Sequence, residues 1–311
     1  DMGKVFFVNG FMDAGKTSFI SQLLSEEYFK IPGKTLLFVC EEGDVEYDMD
    51  MLEENHVFIA YIEREQDFNT DYILEIERKV RPDRVIVEFN GMWDRRSVEF
   101  PWYWDDIMEI AIFDATTFDV YSKNMKLMVS EQVKRAFMTV FHKCDTVMSR
   151  LSSFRRNIRA VNPKINIVFK DSKGEIKTNF VEDLPYNIDA DVINLKDDLF
   201  TTFYLDSIEL PDRYVGKQVH FVGSVMGLKS EDSRTMMVGR KVMNCCMNDL
   251  TMFGVICDYE RADRFKPEDW VDITAVVKKE YSDEYEIFYP VCEVTQIARC
   301  LEPEKVILDV I

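Results

Sequence analysis

Apolar positions come first in unbroken blocks and later in short alternations, and that change divides the chain. Up to about residue 169 the blocks are Val5 to Val8, Lys34 to Cys40, Arg84 to Phe89, Ile107 to Phe113, Phe137 to Phe141 and Ile165 to Phe169. Blocks of this length suit strands buried on both faces. Between them, Ser18 to Leu24, Asp71 to Val80, a stretch around Ser130 to Ala136, and Leu151 to Val161 predict helices. In the second of these Tyr72, Ile73, Ile76 and Val80 fall near helical spacing, and Pro82 stops it. Strands alternating with helices predict an α/β domain with a mostly parallel sheet flanked by helices. Ligands of such sheets lie beyond the carboxyl ends of the strands.

Between about Lys170 and Arg213 the chain turns polar, is broken by Gly174, Pro185 and Pro211, and predicts one helix near Leu199 to Leu205. From Gly216 short alternating runs follow: Gln218 to Val225, Arg234 to Val238, Thr251 to Cys257, Trp270 to Val277, Tyr285 to Tyr289 and Glu293 to Ile297. They predict a smaller all-β domain, an OB-like barrel or a sandwich of antiparallel strands. The expected division is therefore 1–200 and 201–311, and a length of 311 residues suits two domains.

Composition narrows the function classes. Hydrophobic residues at 47% and aromatics at 13% supply packed cores and exclude wholesale disorder. A formal charge of -19, from 57 acidic and 38 basic side chains, repels phosphate backbones and anionic lipid, so no nucleic-acid partner is expected. No run reaches the roughly 18 apolar residues of a membrane span, and the N-terminus shows neither a basic nor a cleavable apolar segment. A cytoplasmic protein without direct membrane insertion is the expectation. The seven cysteines are odd in number and lack framework spacing, which reads as reduced thiols or metal ligands.

The chemistry concentrates where the first block ends. Gly10-Phe11-Met12-Asp13-Ala14-Gly15-Lys16-Thr17 fits GxxxxGK[ST] at every fixed position, with a strand before it and a helix from Ser18 after it. Gly10 and Gly15 let the backbone turn its amides toward one point, and the helix N-terminus adds unpaired N–H groups, so an anion is bound there. Lys16 is expected on the outer phosphates of a nucleotide and the Thr17 hydroxyl on Mg2+. Glu88-Phe89-Asn90-Gly91 closes the third strand, where a carboxylate serves a magnesium-bound water and the Gly91 amide senses the terminal phosphate. His142-Lys143-Cys144-Asp145 follows another strand. Asp145 can accept from the ring N–H and exocyclic amine of guanine, a donor pair adenine lacks, while the Lys143 stem packs on the ring.

In this order the segments resemble the G3E group of P-loop GTPases, and most closely its CobW branch, over about two thirds of the chain. That branch shows GFLGAGKTT, NEFGEVGID, ExxG, a VVDA segment and NKxD. Here Gly10 to Thr17, Cys40 to Asp48, Glu88 to Gly91, Phe113-Asp114-Ala115 and His142 to Asp145 stand for them, with Glu131-Gln132 and Val161-Asn162-Pro163 around the last. The resemblance implies a P-loop NTPase fold, binding of GTP and GDP with Mg2+, slow hydrolysis, and a switch that includes Glu41 to Asp48. Lys16, Glu41 and Glu88 are then the catalytic candidates, and Gly10, Asp13, Ala14, Gly15, Lys16, Thr17, Ser18, Gly91, Lys143 and Asp145 the nucleotide-binding ones. Thr17 and Glu88 are the magnesium candidates. Four departures stand out. His142 and Cys40 each replace an asparagine, Asp13 places a charge inside the loop, and no cysteine between Cys40 and Cys144 supplies the branch's CxCC metal motif.

The C-terminal part resembles the soluble domain of two-part permease-associated proteins of the DUF1980 type. The likeness rests on Tyr214-Val215-Gly216-Lys217 before Val222-Gly223, on Cys245-Cys246 with Asp249, on Asp269-Trp270-Val271 and on Tyr289-Pro290-Val291. Cys245, Cys246 and Cys257 are candidates for Zn2+ or another thiophilic transition metal. Small buried residues are the alternative, because neighbours on a regular strand face opposite sides. Phe100-Pro101-Trp102-Tyr103-Trp104 reads either as a buried cap or as a contact surface.

Two functions stand side by side: a GTPase switch that signals to a transporter or metal-handling partner, and a degenerate P-loop module that holds nucleotide with little hydrolysis. A third, ATP-dependent phosphotransfer, needs adenine acceptance. For the thiol site, metal content measured before and after Cys245→Ser is expected to fall if the cysteines bind metal. An unchanged low value removes the site.

Overall fold

A computed structural model describes residues 4–41, 43, 45–176, 184–228, 234–243, 250–283 and 286–310. It forms two compact units, residues 1–151 with 161–180, and residues 152–160 with 181–311.

The first unit opens with β1 (Val5–Asn9) and α1 (Lys16–Ser25), followed by β2 (Thr35–Val39), α2 (Met49–Glu54), β3 (Val57–Tyr61), α3 (Thr70–Val80) and β4 (Arg84–Glu88). After these come β5 (Ile107–Asp114), α4 (Phe118–Asn124), α5 (Lys126–Val133), β6 (Met138–His142), α6 (Leu151–Val161), β7 (Asn166–Asp171) and the short β8 (Gly174–Glu175). The strands form one sheet in the order β3-β2-β4-β1-β5-β6-β7-β8, parallel throughout except for β7 with β8. Both faces are covered, which is why the central strands read as continuous apolar blocks. Val8, Leu37, Val39 and Ile86 pack on one face with Phe19, Ile20 and Leu24 of α1. Val5, Phe7, Leu36, Phe38 and Val87 pack on the other with Ile73 of α3 and Trp104.

Local chemistry sets the helix ends. The Asn69 side chain accepts from the Tyr72 amide at 3.0 Å and starts α3, and Arg81 ends it in a left-handed conformation just before Pro82. Asp48 caps α2 by accepting from the Asp50 and Met51 amides at 3.0 and 3.3 Å. The apolar spacing did not announce α2, a helix of a turn and a half that depends on this cap. In the aromatic stretch, Phe100 packs on Phe7 and Trp104, while Tyr103 and Trp104 donate to the buried Glu77 carboxylate at 2.6 and 2.9 Å. Those three side chains form a cap, whereas Trp102 is 90% exposed.

The second unit contains β9 (Ile193–Asn194), α7 (Leu199–Glu209), β10 (Gln218–Leu228), β11 (Thr235–Met243), β12 (Leu250–Asp258), β13 (Trp270–Ser282), β14 (Ile287–Arg299) and β15 (Ile307–Asp309). The division expected at residue 200 falls inside α7, whose Phe200 and Phe203 are buried in the core of this unit. β10 pairs with both β11 and β13, and the pairings β11–β12, β12–β14 and β14–β13 close a ring of five strands. The second domain is therefore an OB-like barrel and not a sandwich. One pairing in the ring departs from the antiparallel expectation: β12 and β14 run parallel, because β14 returns past β13 to close the ring beside β12. The last two expected runs, in their described residues 287–289 and 293–297, belong to the single strand β14, while β9 and β15 extend the ring as edge strands. No helix among the described residues is long and apolar enough to cross a membrane.

A buried polar network also belongs to this unit. Asp206 accepts from the Tyr214 hydroxyl at 2.6 Å and from Arg213 at 2.9 Å, and Tyr186 in turn lies 2.6 Å from the Tyr214 oxygen. Burial pushes the Asp206 carboxyl up while the Tyr214 hydroxyl and nearby arginines oppose that rise. Asp206→Ala is expected to cost about 3–5 kcal/mol in urea unfolding, since it removes one side of a buried charge network. Glu75→Ala, which breaks the exposed Lys79–Glu75 pair, is expected to cost under about 0.5 kcal/mol.

Candidate functional site

The site forms where the parallel strands end. β1 delivers the loop from Gly10, β2 delivers Cys40 and Glu41, β4 ends on Glu88, β5 on Asp114 and β6 on His142. The registers set Glu88 level with both Val8 and Val39, and Asp114 level with His142. Two glycines are required by close approach. A Cβ on Gly91 would lie 2.2 Å from the Gly10 carbonyl oxygen, and one on Gly10 would lie 2.4 Å from the Ile112 carbonyl oxygen. Gly15 enters α1 in the left-handed region at φ 92°. Asp13 also has positive φ, 56°, and is exposed on the rim, which answers the electrostatic problem of an acid in the loop.

Lys16 is 3% exposed. Its ammonium donates to the carbonyls of Gly10 and Phe11 at 2.8 and 2.9 Å and pairs with Glu41 at 2.5 Å. The Thr17 hydroxyl donates to Glu88 Oε1 at 2.6 Å, and the Tyr47 hydroxyl donates to Glu88 Oε2 at 2.5 Å. Burial pushes the Glu88 carboxyl up, and the Thr17 and Tyr47 hydroxyls with the Lys16 ammonium hold against it. The same surroundings, burial first and then the Glu88 charge, push the Cys40 thiol well above its ordinary range. A cavity of about 270 Å³ opens over these groups, lined by Asp13, Gly15, Lys16, Thr17, Ser18, Glu41, Gly43, Val45, Glu88 and Lys143. Ala14, within the loop, is buried against the core. Thr17 and Glu88 supply oxygen donors only, a set that fits Mg2+ and not a thiophilic ion. Behind Gly91, the Gln132 side chain donates to its carbonyl at 3.2 Å.

The base-recognition candidates are ordered by contacts that the spacing did not reveal. Asp145 accepts from the Ser172 hydroxyl at 2.6 Å and from the Ser172 amide at 3.1 Å, and these bonds hold its carboxyl below the usual range. Ser172 follows β7, and its only sequence signal is a hydroxyl residue in a strand-end loop. Lys143, at φ 58°, pairs with Asp114 at 2.6 Å. Burial raises the Asp114 carboxyl, but the Lys143 ammonium and the Thr116 hydroxyl and amide outweigh it and hold it low.

Cys245 and Cys246 lie outside the described residues. Cys257 is buried opposite Cys292 in the β12–β14 pairing, and that neighbour together with burial pushes its thiol up, toward the inert protonated form. Among the described residues no group of three His, Cys, Asp or Glu side chains is placed to hold a metal ion.

His142 packs beside the loop, its Cδ2 lying 3.5 Å from where a Cβ on Gly15 would be, and its Nε2 is buried without a hydrogen-bond partner among the described residues. Burial, with Lys170 and Lys143 nearby and Asp114 opposing, lowers its pKa to about 4. A folded value below the unfolded one, about 6.5, means that the unfolded chain binds more protons between the two. The contribution of neutral His142 is then full above pH 6.5 and is lost as pH falls toward 4. His142→Asn is expected to lose less stability than the wild type between pH 7.5 and pH 4.5 in urea titrations; equal losses would refute this.

A family model described as the CobW/HypB/UreG nucleotide-binding domain matches residues 4–169, and one described as the DUF1980 C-terminal domain matches residues 172–307. No curated protein matches the chain significantly. Among solved structures, HypB from Archaeoglobus fulgidus is similar at 15% identity, covering 55% of this chain and 82% of its own, with a TM-score of 0.40. HypB from Helicobacter pylori in complex with nickel is similar at 16% identity over 54% and 79%, with a TM-score of 0.39. A zinc-bound triple mutant of the YjiA GTPase is similar at 14% identity over 94% and 89%, with a TM-score of 0.42. With the first model matching more than half of its residues, including the Gly10 loop, Glu88 and Asp145, the chain belongs to the CobW/HypB/UreG nucleotide-binding family.

Proposed function

We propose that this chain is a Mg-dependent guanine-nucleotide switch that hydrolyses GTP slowly in the cytoplasm. The observation that carries the proposal is the Thr17–Glu88 hydrogen bond of 2.6 Å beside the buried Lys16. It brings the hydroxyl and carboxylate expected to serve magnesium next to the ammonium expected on the phosphates, over one cavity of about 270 Å³. That volume suits a polyphosphate tail. Bound Mg2+ would neutralise charge on the phosphate oxygens there. The protein's own part is positional: the Gly10 to Gly15 backbone and Lys16 receive the phosphates, and Gly91 lies against the loop where a terminal phosphate ends. Asp145, ionised and oriented by Ser172, supplies acceptors for the two donors of guanine.

Because Glu41 pairs with Lys16, phosphate reaching that ammonium exchanges one anion for another. That exchange releases Glu41 at the start of the Glu41 to Asp48 segment and constitutes the switch, while the end of the segment stays anchored by the Tyr47 ring and the Asp48 cap. We infer that the barrel domain serves a partner, a transporter or a metal-handling protein, from its likeness to permease-associated proteins.

With Mg2+ present, GTP or GDP at about a hundred times its Kd is expected to raise the melting temperature of the nucleotide domain by roughly 5–10 °C, with ATP having no effect. Phosphate release from GTP is expected to vanish in Lys16→Ala. Equal shifts by ATP would overturn the guanine assignment, and binding without phosphate release would favour a nucleotide-holding module.

A further inference from the structure

Given the guanine-nucleotide reading above, on which this inference rests, we propose that Tyr47 is a positioning residue for magnesium, acting through the Glu88 carboxylate. Glu88 is 2% exposed, and its two oxygens are divided between two hydroxyls. Oε1 accepts from Thr17 at 2.6 Å and Oε2 from Tyr47 at 2.5 Å. A buried carboxylate with one oxygen committed to a fixed donor loses its freedom to rotate, so Oε1 stays on the Thr17 side. Outer partners of this kind orient ligating carboxylates, and their loss commonly weakens metal binding by about 10- to 100-fold.

The donor itself is rigidly held. The Tyr47 ring is 8% exposed and packs in the cluster that contains Ala14, Phe19 and Leu52. The next residue, Asp48, caps α2 through the Asp50 and Met51 amides, which anchors the backbone directly after the tyrosine. The phenol is thus presented from a packed ring and a capped helix, and not from a free loop tip. The same segment reaches Lys16 through Glu41, so a single stretch of chain contacts both the ammonium and the metal carboxylate. In the motif NEFGEVGID the corresponding position is isoleucine, which has no hydroxyl to offer. The Tyr47–Glu88 bond is therefore a feature of this chain's own residues.

The test isolates the hydroxyl, because Tyr47→Phe keeps the packed ring. Binding of a fluorescent GTP analogue to the full chain is measured in EDTA and then across a MgCl2 titration, for the wild type and for Tyr47→Phe. The expected result is equal affinity in EDTA and a 10- to 100-fold higher MgCl2 concentration for the half-maximal magnesium effect in the variant. An unchanged or lower magnesium requirement overturns the proposal, the latter by making the phenol a competitor of the metal. Equal weakening in EDTA and in magnesium also overturns it, because the tyrosine would then serve only the fold. Failure of the wild type to bind the analogue in either condition would instead remove the nucleotide reading itself, and this proposal with it.

Discussion

A buried ammonium has to be paired, and most of the site's arrangement follows from how Lys16 meets that requirement. Removing a charge from water costs several kcal/mol unless hydrogen bonds and an opposite charge replace the lost solvation. Lys16 finds two carbonyls within its own loop and a carboxylate at the end of β2. The first two contacts curl the loop around the side chain. The third ties the loop to the end of β2, across the intervening β4, so the site is a closed electrostatic circuit. An incoming phosphate substitutes for a partner already present and does not have to create a new charge pair.

A second constraint is steric. β1 lies between β4 and β5, and the chain leaving it is so crowded that a Cβ on Gly91 would strike the Gly10 carbonyl and one on Gly10 would strike the Ile112 carbonyl of β5. This contact brings the glycine after Glu88 against the phosphate loop, while Gln132 braces it from behind. The glycines therefore do more than permit a turn; they let two loops from different strands share one small volume. Glu88 is drawn into the same volume, where Thr17 and Tyr47 compensate for its burial.

His142 shows how a departure from a motif is absorbed. An imidazole packed beside Gly15, with two lysines near it, stays neutral and contributes shape in place of charge. Asp145, three residues on, is instead exposed and kept ionised by Ser172. The cysteines divide in a similar way. Cys40 and Cys257 are buried protonated thiols, and the described residues assemble no thiolate cluster.

By itself the sequence determined the alternation of strands and helices in the first unit, the phosphate loop, the acid at the end of β4 and the aspartate after β6. Each depends on a few neighbouring residues whose spacing dictates a local backbone path. The sequence did not determine β3, an edge strand that is largely half-exposed, or α2, which depends on one cap. Nor did it specify the closed ring of the barrel, because β12 meets β14 only once β13 has been laid between them in the chain. Tertiary structure alone decided that Tyr47 binds Glu88, that Ser172 holds Asp145 and that Cys292 faces Cys257. These partners come from different strands or strand-end loops, and their meeting depends on sheet order and register, which no local spacing encodes.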